Sequence, residues 1–201
     1  MSKKEKKGYY GYVKREKLIR FLQTFVMFLI PLLLFLGAYL TTKTSKNIFS
    51  VIAIVGCLPG CKSMVGLIMM LMLKPMAASD HKSITEHKGR VLVGYELYLT
   101  SYEHSEFVCA AAVHGNQIIC YSDRLKNPPE LLEEHITNLM NQNGFKLKVK
   151  VFKKLSQFTD RLDTMNAHFE ELNVEGFIPD SKYPEYDRDQ MIMHILYRLA
   201  L

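Results

Sequence analysis

The chain has 201 residues, a formal net charge of +6 and a sequence pI of about 9.0, but its charges are unevenly distributed. Residues 1–79 hold twelve Lys or Arg and two acidic residues, whereas residues 80–201 hold fourteen basic and eighteen acidic residues. Because the second part lacks the positive field that phosphate polymers require, we expect no nucleic-acid partner. Four cysteines in a chain of this length exclude a disulfide-dense secreted domain.

Two apolar runs dominate the first part. Phe21–Leu40 holds 20 residues without a charge, which matches the length needed to cross ~30 Å of hydrocarbon. Ile48–Leu73 is also long enough, and the sequence leaves open whether it is one continuous helix or is broken at Pro59. A secretory signal is the alternative for the first run, but its apolar region is shorter and precedes a small-residue cleavage site. We therefore expect an uncleaved, two-helix transmembrane hairpin over residues 21–74.

The basic residues beside the two runs predict the orientation of the hairpin, because flanking Lys and Arg are retained on the cytoplasmic side. The segment 1–20 holds eight and the connection 41–47 holds two, and four more follow the second run: Lys74, Lys82, Lys88 and Arg90. This count predicts a two-pass plasma-membrane protein with both termini cytoplasmic. Residues 1–20 are then a basic tail, 75–88 a linker, and 89–201 a cytosolic domain at the inner membrane surface.

The middle of the second run contains the residues to which we assign a membrane packing or functional role, Gly56, Pro59, Gly60 and Lys62. Lys62 lies 11 residues before Leu73, which is ~16 Å along a helix, and a charge near mid-bilayer costs ~2.5–3.5 kcal/mol. It either faces a partner or a water-filled cavity, or reaches the interface because the span is bent or shifted. The Gly-x-x-x-Gly spacing lets helices approach closely, so we expect the hairpin to bind the bilayer and a protein partner or a second copy.

Cys57 and Cys61 lie one helical turn apart among several methionines, and soft sulfur ligands of this kind bind Cu(I). They are the metal candidates of the chain. Methionine is also an ordinary lipid-facing residue, and the spacing does not enforce a site. We therefore expect neither a metal nor a cofactor.

The soluble part begins with strands. Residues 91–99 alternate as a strand does, with one side formed by Val91, Val93, Tyr95, Leu97 and Leu99. Two further apolar runs flank Gly115-Asn116, which predicts a hairpin with a two-residue loop. In that hairpin three pairs face each other: Val113 with Ile118, Ala111 with Cys120, and Cys109 with Ser122.

Helical signals alternate with one more strand in the remainder of the chain. Asn127-Pro128 predicts a helix cap and a first-turn proline, and Gly144 predicts the end of that helix. Residues 145–152 alternate as a strand with lysines on its wet face, and residues 155–172 predict one amphipathic helix.

Asp187 followed by Gln190 predicts a capping box at the start of the last helix. Together the elements predict a membrane α-helical hairpin joined to an α/β (α+β) cytosolic domain with a mainly antiparallel sheet.

The order strand, strand, strand, helix, strand resembles the core of restriction-endonuclease-like nucleases, which need clustered carboxylates for Mg²⁺ and a nearby lysine. The third strand, 117–120, has no acidic-x-Lys element, so Glu96 and Asp123 are the catalytic candidates that remain. A thiol nucleophile would pair Cys109 or Cys120 with a histidine, His104 or His114. Thiols in apolar strands are usually inert.

A row of five lysines follows the predicted helix that ends at Gly144, and its members are Lys146, Lys148, Lys150, Lys153 and Lys154. The row would bind anionic lipid beneath the membrane. Lysines that protect a solvated edge strand explain it equally well.

Two stretches, CLPGCKSMVGLIMM in the second run and YELYLTSYE in the first strand, make the chain similar to a family of small, uncharacterised two-span membrane proteins of Gram-positive bacteria. The resemblance implies a bacterial membrane protein, and it suggests no particular activity. We expect a membrane-anchored cytosolic interaction module that binds protein or lipid, and not an enzyme. A membrane-tethered hydrolase or nuclease-like enzyme and a small subunit of a membrane transport complex are the alternatives.

Overall fold

The computed structural model describes most of the chain, namely residues 7–43, 48–100, 105–174, 177 and 183–200. The chain divides into two compact units. The helical unit comprises Val13–Lys74, and the second unit, here called the body, comprises Met1–Tyr12 together with Pro75–Leu201.

The helical unit is built from two helices, α1 (Tyr12–Thr42) and α2 (Ile48–Met72). Both are long and apolar enough to cross a membrane. Pro31 lies inside α1 and Pro59 inside α2, and neither proline ends its helix. The second apolar run is therefore one continuous helix, which answers the question that the sequence left open.

The body contains a four-stranded sheet in the order β1-β2-β3-β4. The strands are β1 (Leu92–Thr100), β2 (Ser105–His114), β3 (Gln117–Tyr121) and β4 (Lys148–Phe152). The first two pairings are antiparallel, and β4 runs parallel to β3. The α+β class is confirmed, but the expectation of a mainly antiparallel sheet is wrong. A helical crossover between β3 and β4 lets these two strands run parallel, which makes the sheet mixed.

The hairpin between β2 and β3 has the predicted register, since Val113 pairs with Ile118 and Ala111 with Cys120. Gly115 has φ +58°, the left-handed conformation that a two-residue loop demands of its first residue. The turn signal and the apolar flanks were sufficient here because the contacts are local.

The third predicted pair, Cys109 with Ser122, is wrong. The pairing of β2 with β3 ends at Ala110 and Tyr121. The Ser122 N–H instead donates to the Phe152 carbonyl oxygen at 3.0 Å, so the chain leaves β3 by bonding to β4.

The alternation of β1 changes phase at Glu96, whose φ is +54°. Before it, the ring of Tyr95 lies 4.9 Å from that of His81. After it, Leu97 and Leu99 join the main core cluster. The prediction that Tyr95, Leu97 and Leu99 share one side is therefore wrong, because a left-handed residue turns the strand over.

The described residues of the body form four helices before the last helix. They are α3 (Ala78–His87), α4 (Pro129–Gln142), α5 (Leu155–Ala167) and the single-turn α6 (Phe169–Leu172). The interval 75–88, expected as a linker, thus contains α3.

The start of α4 differs from the predicted one. Pro128 occupies the N-cap position, and Asn127 instead donates through its backbone N–H and its Nδ2 to Glu106, at 3.0 and 2.7 Å. Gly144, with φ +83°, follows the end of α4 as predicted.

One continuous helix over residues 155–172 is also wrong, because α5 and α6 are separated at His168. The ring of Phe169 stacks on that of His114 with 3.8 Å between centroids, and its carbonyl oxygen lies 2.9 Å from His114 Nε2. These contacts with β2 override the helical periodicity.

The last helix, α7 (Arg188–Leu199), has the predicted capping box between Asp187 and Gln190. Its buried side chains join those of α4 and the sheet in one apolar core, which includes Ile136, Ile192 and Leu196.

The outer edge of β1 is bonded to two distant segments of the body. The Tyr95 N–H donates to the Gly8 carbonyl oxygen at 2.8 Å, and Leu99 forms a bridge with Ala200. Lys7 Nζ donates to the Ala200 carbonyl oxygen at 2.6 Å. Residues on both sides of the two long helices in sequence therefore complete the same strand edge.

Candidate functional site

The two glycines of the predicted Gly-x-x-x-Gly element face α1. A Cβ on Gly60 would lie 3.2 Å from the ring of Phe28, and one on Gly56 would lie 3.4 Å from Pro31. The close approach that glycine permits is therefore used within the hairpin. The pairing of α1 with α2 accounts for these two residues.

Polar contacts join the same two helices at the end nearest to residues 17 and 73. Side chains of α1 there bond to a hydroxyl or to backbone carbonyl oxygens of α2 and its last turn. The contacts are Thr24 Oγ1 with Ser63 Oγ at 2.8 Å, Arg20 Nη1 with Gly66 O at 3.3 Å, and Lys17 Nζ with Leu73 O at 2.5 Å. The lysine thus satisfies a carbonyl that the helix end leaves without an intrahelical donor.

Lys62 is exposed on the helical unit. It lies one helical turn from Gly66, where Arg20 already supplies a charge, and one turn is ~6 Å along the axis. The stem of an extended lysine is about this long.

The metal candidates lie on α2, where Cys57 is partly exposed and Cys61 is exposed. Among the residues that the structure describes, no group of three or more His, Cys, Asp or Glu side chains is arranged to hold a metal ion.

The two catalytic candidates of the body have different surroundings. Glu96 is buried and accepts a hydrogen bond from the Met76 N–H at 3.1 Å. Asp123 is exposed and accepts from Cys109 Sγ at 3.2 Å and from Arg124 Nε at 3.0 Å. Each carboxylate is thus engaged in contacts of its own.

A buried carboxylate that the sequence analysis missed lies at the start of β2. Glu106 accepts from the backbone N–H groups of Lys126 and Asn127, besides the Asn127 side chain. It holds the loop between β3 and α4 against the sheet. An acidic residue at the start of a strongly apolar strand is the signal that would have found it, because buried charges are normally partnered.

The buried thiols are poor nucleophiles. Burial raises the pKa of both Cys109 and Cys120 to about 12, so both remain protonated at neutral pH. His114 lies between Asp189 Oδ2, at 2.8 Å from Nδ1, and the Phe169 carbonyl oxygen. His104 lies outside the described residues.

All five lysines of the predicted row are exposed. Lys148 and Lys150 lie on β4, the last strand of the sheet, and Lys146, Lys153 and Lys154 flank it. We call these five residues the lysine face.

Glu133 of α4 positions one member of the lysine face and covers the outer edge of β4. Its Oε1 lies 3.1 Å from Lys150 Nζ and accepts from the Val151 N–H at 2.8 Å. A shallow groove of about 500 Å³ adjoins this strand, with Lys150, Asp160 and Arg161 among its lining residues. Arg161 is held in place by the side chain of Gln117.

Comparisons with protein-family models, with curated proteins and with solved structures found no match. The function is therefore inferred from the residues of this chain alone.

Proposed function

We propose that the chain is a membrane-anchored interaction module, in which α1 and α2 cross the plasma membrane and the body binds protein or lipid at the cytoplasmic surface. The observation that supports the anchor is the position of the exposed apolar side chains. Among the described residues, every exposed large hydrophobic side chain except Tyr9 and Leu131 belongs to α1 or α2. Water-soluble monomers rarely expose contiguous apolar surface of this extent.

Lipid is the environment that suits this surface. The most apolar windows of the two helices are only 11% and 17% buried, with mean hydropathies of 2.2 and 1.9. A continuous helix also satisfies its own backbone hydrogen bonds, which hydrocarbon requires. The basic residues near Lys17 and Arg20 support a cytoplasmic position for that end of the hairpin.

The anchor is tested by thiol labelling of the full chain in cells, in a background with Cys57→Ser and Cys61→Ser. Residue 45 belongs to the connection between the two helices, and Ser79 is an exposed residue of α3. The labelled variants are Ser45→Cys and Ser79→Cys. We expect an impermeant maleimide to label position 45 in intact cells and position 79 only after permeabilisation. Extraction of the chain by alkaline carbonate would refute membrane insertion, and the reverse labelling would refute the orientation.

The interaction role is supported by the exposed lysine face on a folded body. A photoreactive residue in place of Lys148 tests it in native membranes. We expect adducts with protein or lipid, and a body that forms neither would contradict an interaction module.

The contacts of Glu96, Glu106 and Asp123 support structural roles for these carboxylates, since backbone or side-chain donors already occupy them. A role in a transport complex would require Lys62 to contact a partner, and Lys62→Leu tests this. We expect unchanged assembly, because Lys62 is exposed on the helical unit and a lysine stem can extend toward the interface.

A further inference from the structure

Charge is segregated within the body. The ten residues 145–154 contain all five lysines of the lysine face and no acidic residue. The rest of the interval 80–201 is left with nine basic and eighteen acidic residues. Residues 80–201, which are acidic as a whole, therefore carry one compact basic strip, separate in sequence from the lysines of residues 1–12.

The strip is open to ligands. All five lysines are exposed, and Lys150 keeps 62% of its side chain accessible although it lies near Glu133. Among the described residues, Lys148, Lys153 and Lys154 form no ion pair within 4.0 Å. Alternation along β4 projects Lys148 and Lys150 from the same side of the strand.

The chemistry of the strip favours a diffuse anionic surface. It contains lysine and no arginine. The ammonium group is a compact, hydrated point charge, whereas planar, bidentate recognition of single carboxylates or phosphates on a protein partner favours arginine. A leaflet of anionic lipids presents many mobile phosphates, which flexible lysines can neutralise without a fixed geometry.

The body is covalently connected to the helical unit. A weak attraction between the lysine face and a membrane surface is therefore sufficient for docking. The chain passes between the two units at Tyr12 to Val13 and again at Lys74 to Pro75. A doubly tethered body experiences a high effective concentration of any surface in which the helices are embedded.

We infer that the lysine face is a docking surface for the phosphate groups of anionic membrane lipids. This inference rests on the proposed function, because the anchor supplies the membrane. It selects lipid over protein as the ligand of the body and predicts that docking depends on lipid charge and on salt.

The test uses the full chain, reconstituted in vesicles of phosphatidylcholine alone or of phosphatidylcholine mixed with phosphatidylglycerol. An impermeant acylating reagent modifies exposed lysines, and mass spectrometry gives the rate at each position. We expect Lys148, Lys153 and Lys154 to react about fivefold or more slowly in the anionic vesicles, since one basic residue near such a surface is worth roughly this factor. Lys126, exposed elsewhere on the body, should react equally in both.

Two triple variants distinguish a local effect of the lysine face from an effect of the net charge of the chain. The combination Lys148→Gln, Lys153→Gln and Lys154→Gln should abolish the protection of Lys146. The matched combination Lys82→Gln, Lys88→Gln and Lys126→Gln removes the same charge from other exposed sites and should preserve it. Salt of about 1 M, where the Debye length is ~3 Å, should also abolish the protection.

Equal acylation in the two kinds of vesicle would overturn the inference, and so would protection that rises with the protein-to-lipid ratio, because a second copy would then cover the face. Failure of the anchor is detected separately by release of the chain in alkaline carbonate. In that case flotation of the released chain with phosphatidylglycerol vesicles, compared with phosphatidylcholine vesicles, still decides whether the lysine face docks.

Discussion

Glu96 combines two unfavourable features in one residue. Its backbone is left-handed at φ +54°, which costs an ordinary residue roughly 1–2 kcal/mol, and its carboxylate is buried. The hydrogen bond from the Met76 N–H offsets part of this cost. Met76 follows the helical unit by two residues, so Glu96 fixes the start of the second segment of the body, Pro75–Leu201, on the sheet.

Gly115 needs both its backbone conformation and its missing side chain. A Cβ at this position would collide with the carbonyl oxygen of Leu172. Gly144 has a similar positive φ of +83°, but open space surrounds it. Substitutions at Gly144 and Gly115 therefore distinguish the cost of backbone strain alone from the cost of strain plus steric collision.

We predict that Gly144→Ala destabilises the body by about 1–2 kcal/mol, the cost of a left-handed alanine. Gly115→Ala should cost clearly more, since strain and collision add. Denaturant unfolding of the full chain in detergent, followed by tyrosine fluorescence, measures both. Equal losses of stability in the two variants would mean that Leu172 of α6 moves away from the added Cβ at no cost.

Buried thiols make the body sensitive to alkali. Burial raises the pKa of Cys120 from 9.0 to about 12, so the unfolded chain loses this proton first as the pH rises. The stabilising effect is complete below pH 9.0 and is lost progressively toward the higher value. Burial raises the pKa of Tyr197 in the same direction, from 10.0 to about 12.

We predict that the denaturant midpoint of the body falls as the pH rises above 9.0. Cys120→Ala should make this fall shallower, although it also removes some core packing at neutral pH. Midpoints of both proteins across the alkaline range measure the slope. An unchanged slope in the variant would show that other groups cause the alkaline loss.

Local residue signals were predictable and distant partners were not. The loop Gly115-Asn116 and the capping box at Asp187 depend on neighbours within a few positions, and both were read correctly. Asn127 was assigned to a cap, but it bonds to Glu106, 21 residues away. Glu106 itself was overlooked, because nothing near it in sequence identifies its donors.

At the scale of elements, the contact between α1 and α2 is set by small residues. Gly60 is the tightest of them, since its missing Cβ leaves only 3.2 Å to the Phe28 ring. Gly37 on α1 has no atom within 4 Å of an added Cβ and provides a matched control.

We predict that Gly60→Leu separates the helices at a cost of about 1–3 kcal/mol, typical of overpacking. Thr24→Cys with Ser63→Cys, whose hydroxyls lie 2.8 Å apart, reports the separation as a slower oxidative crosslink in a background lacking Cys57 and Cys61. Gly37→Leu should leave the crosslinking rate unchanged. A normal rate in Gly60→Leu would show that Phe28 yields instead.

Element periodicity predicted most helices and strands but failed where tertiary contacts override it. The apolar repeat of residues 155–172 continues through His168, yet the chain breaks there to stack Phe169 on His114. The alternation of β1 likewise continues through Glu96 in the sequence, whereas the strand turns over. The parallel pairing of β4 depends on the crossover by α4, which periodicity does not encode.

At the scale of the whole molecule, the lysine face was predictable and its setting was not. Alternation identified Lys148 and Lys150 as the wet side of a strand, which the structure confirms by their exposure. That β4 ends the sheet, with Glu133 covering its outer edge, follows only from the topology.

Removal of the segment before α1 tests how the body holds together. We predict that deletion of residues 1–8 accelerates hydrogen exchange at the Tyr95 amide, because its acceptor is the Gly8 carbonyl oxygen. The Ile119 amide, in a strand with neighbours on both sides, should exchange as before. Mass-spectrometric exchange of the full-length and shortened chains measures both sites, and an unaltered Tyr95 rate would contradict the role of Gly8.

The bridge between Leu99 and Ala200 also determines when the outer edge of β1 can be completed during synthesis. β1 leaves the ribosome about a hundred residues before its partner at Ala200, and the bond of Lys7 to the same residue spans 193 positions. Contacts so distant in sequence form late. Nascent chains must therefore keep this strand edge unfinished until residue 200 has been synthesised, and chaperones that shield exposed edges would act on the body during that interval.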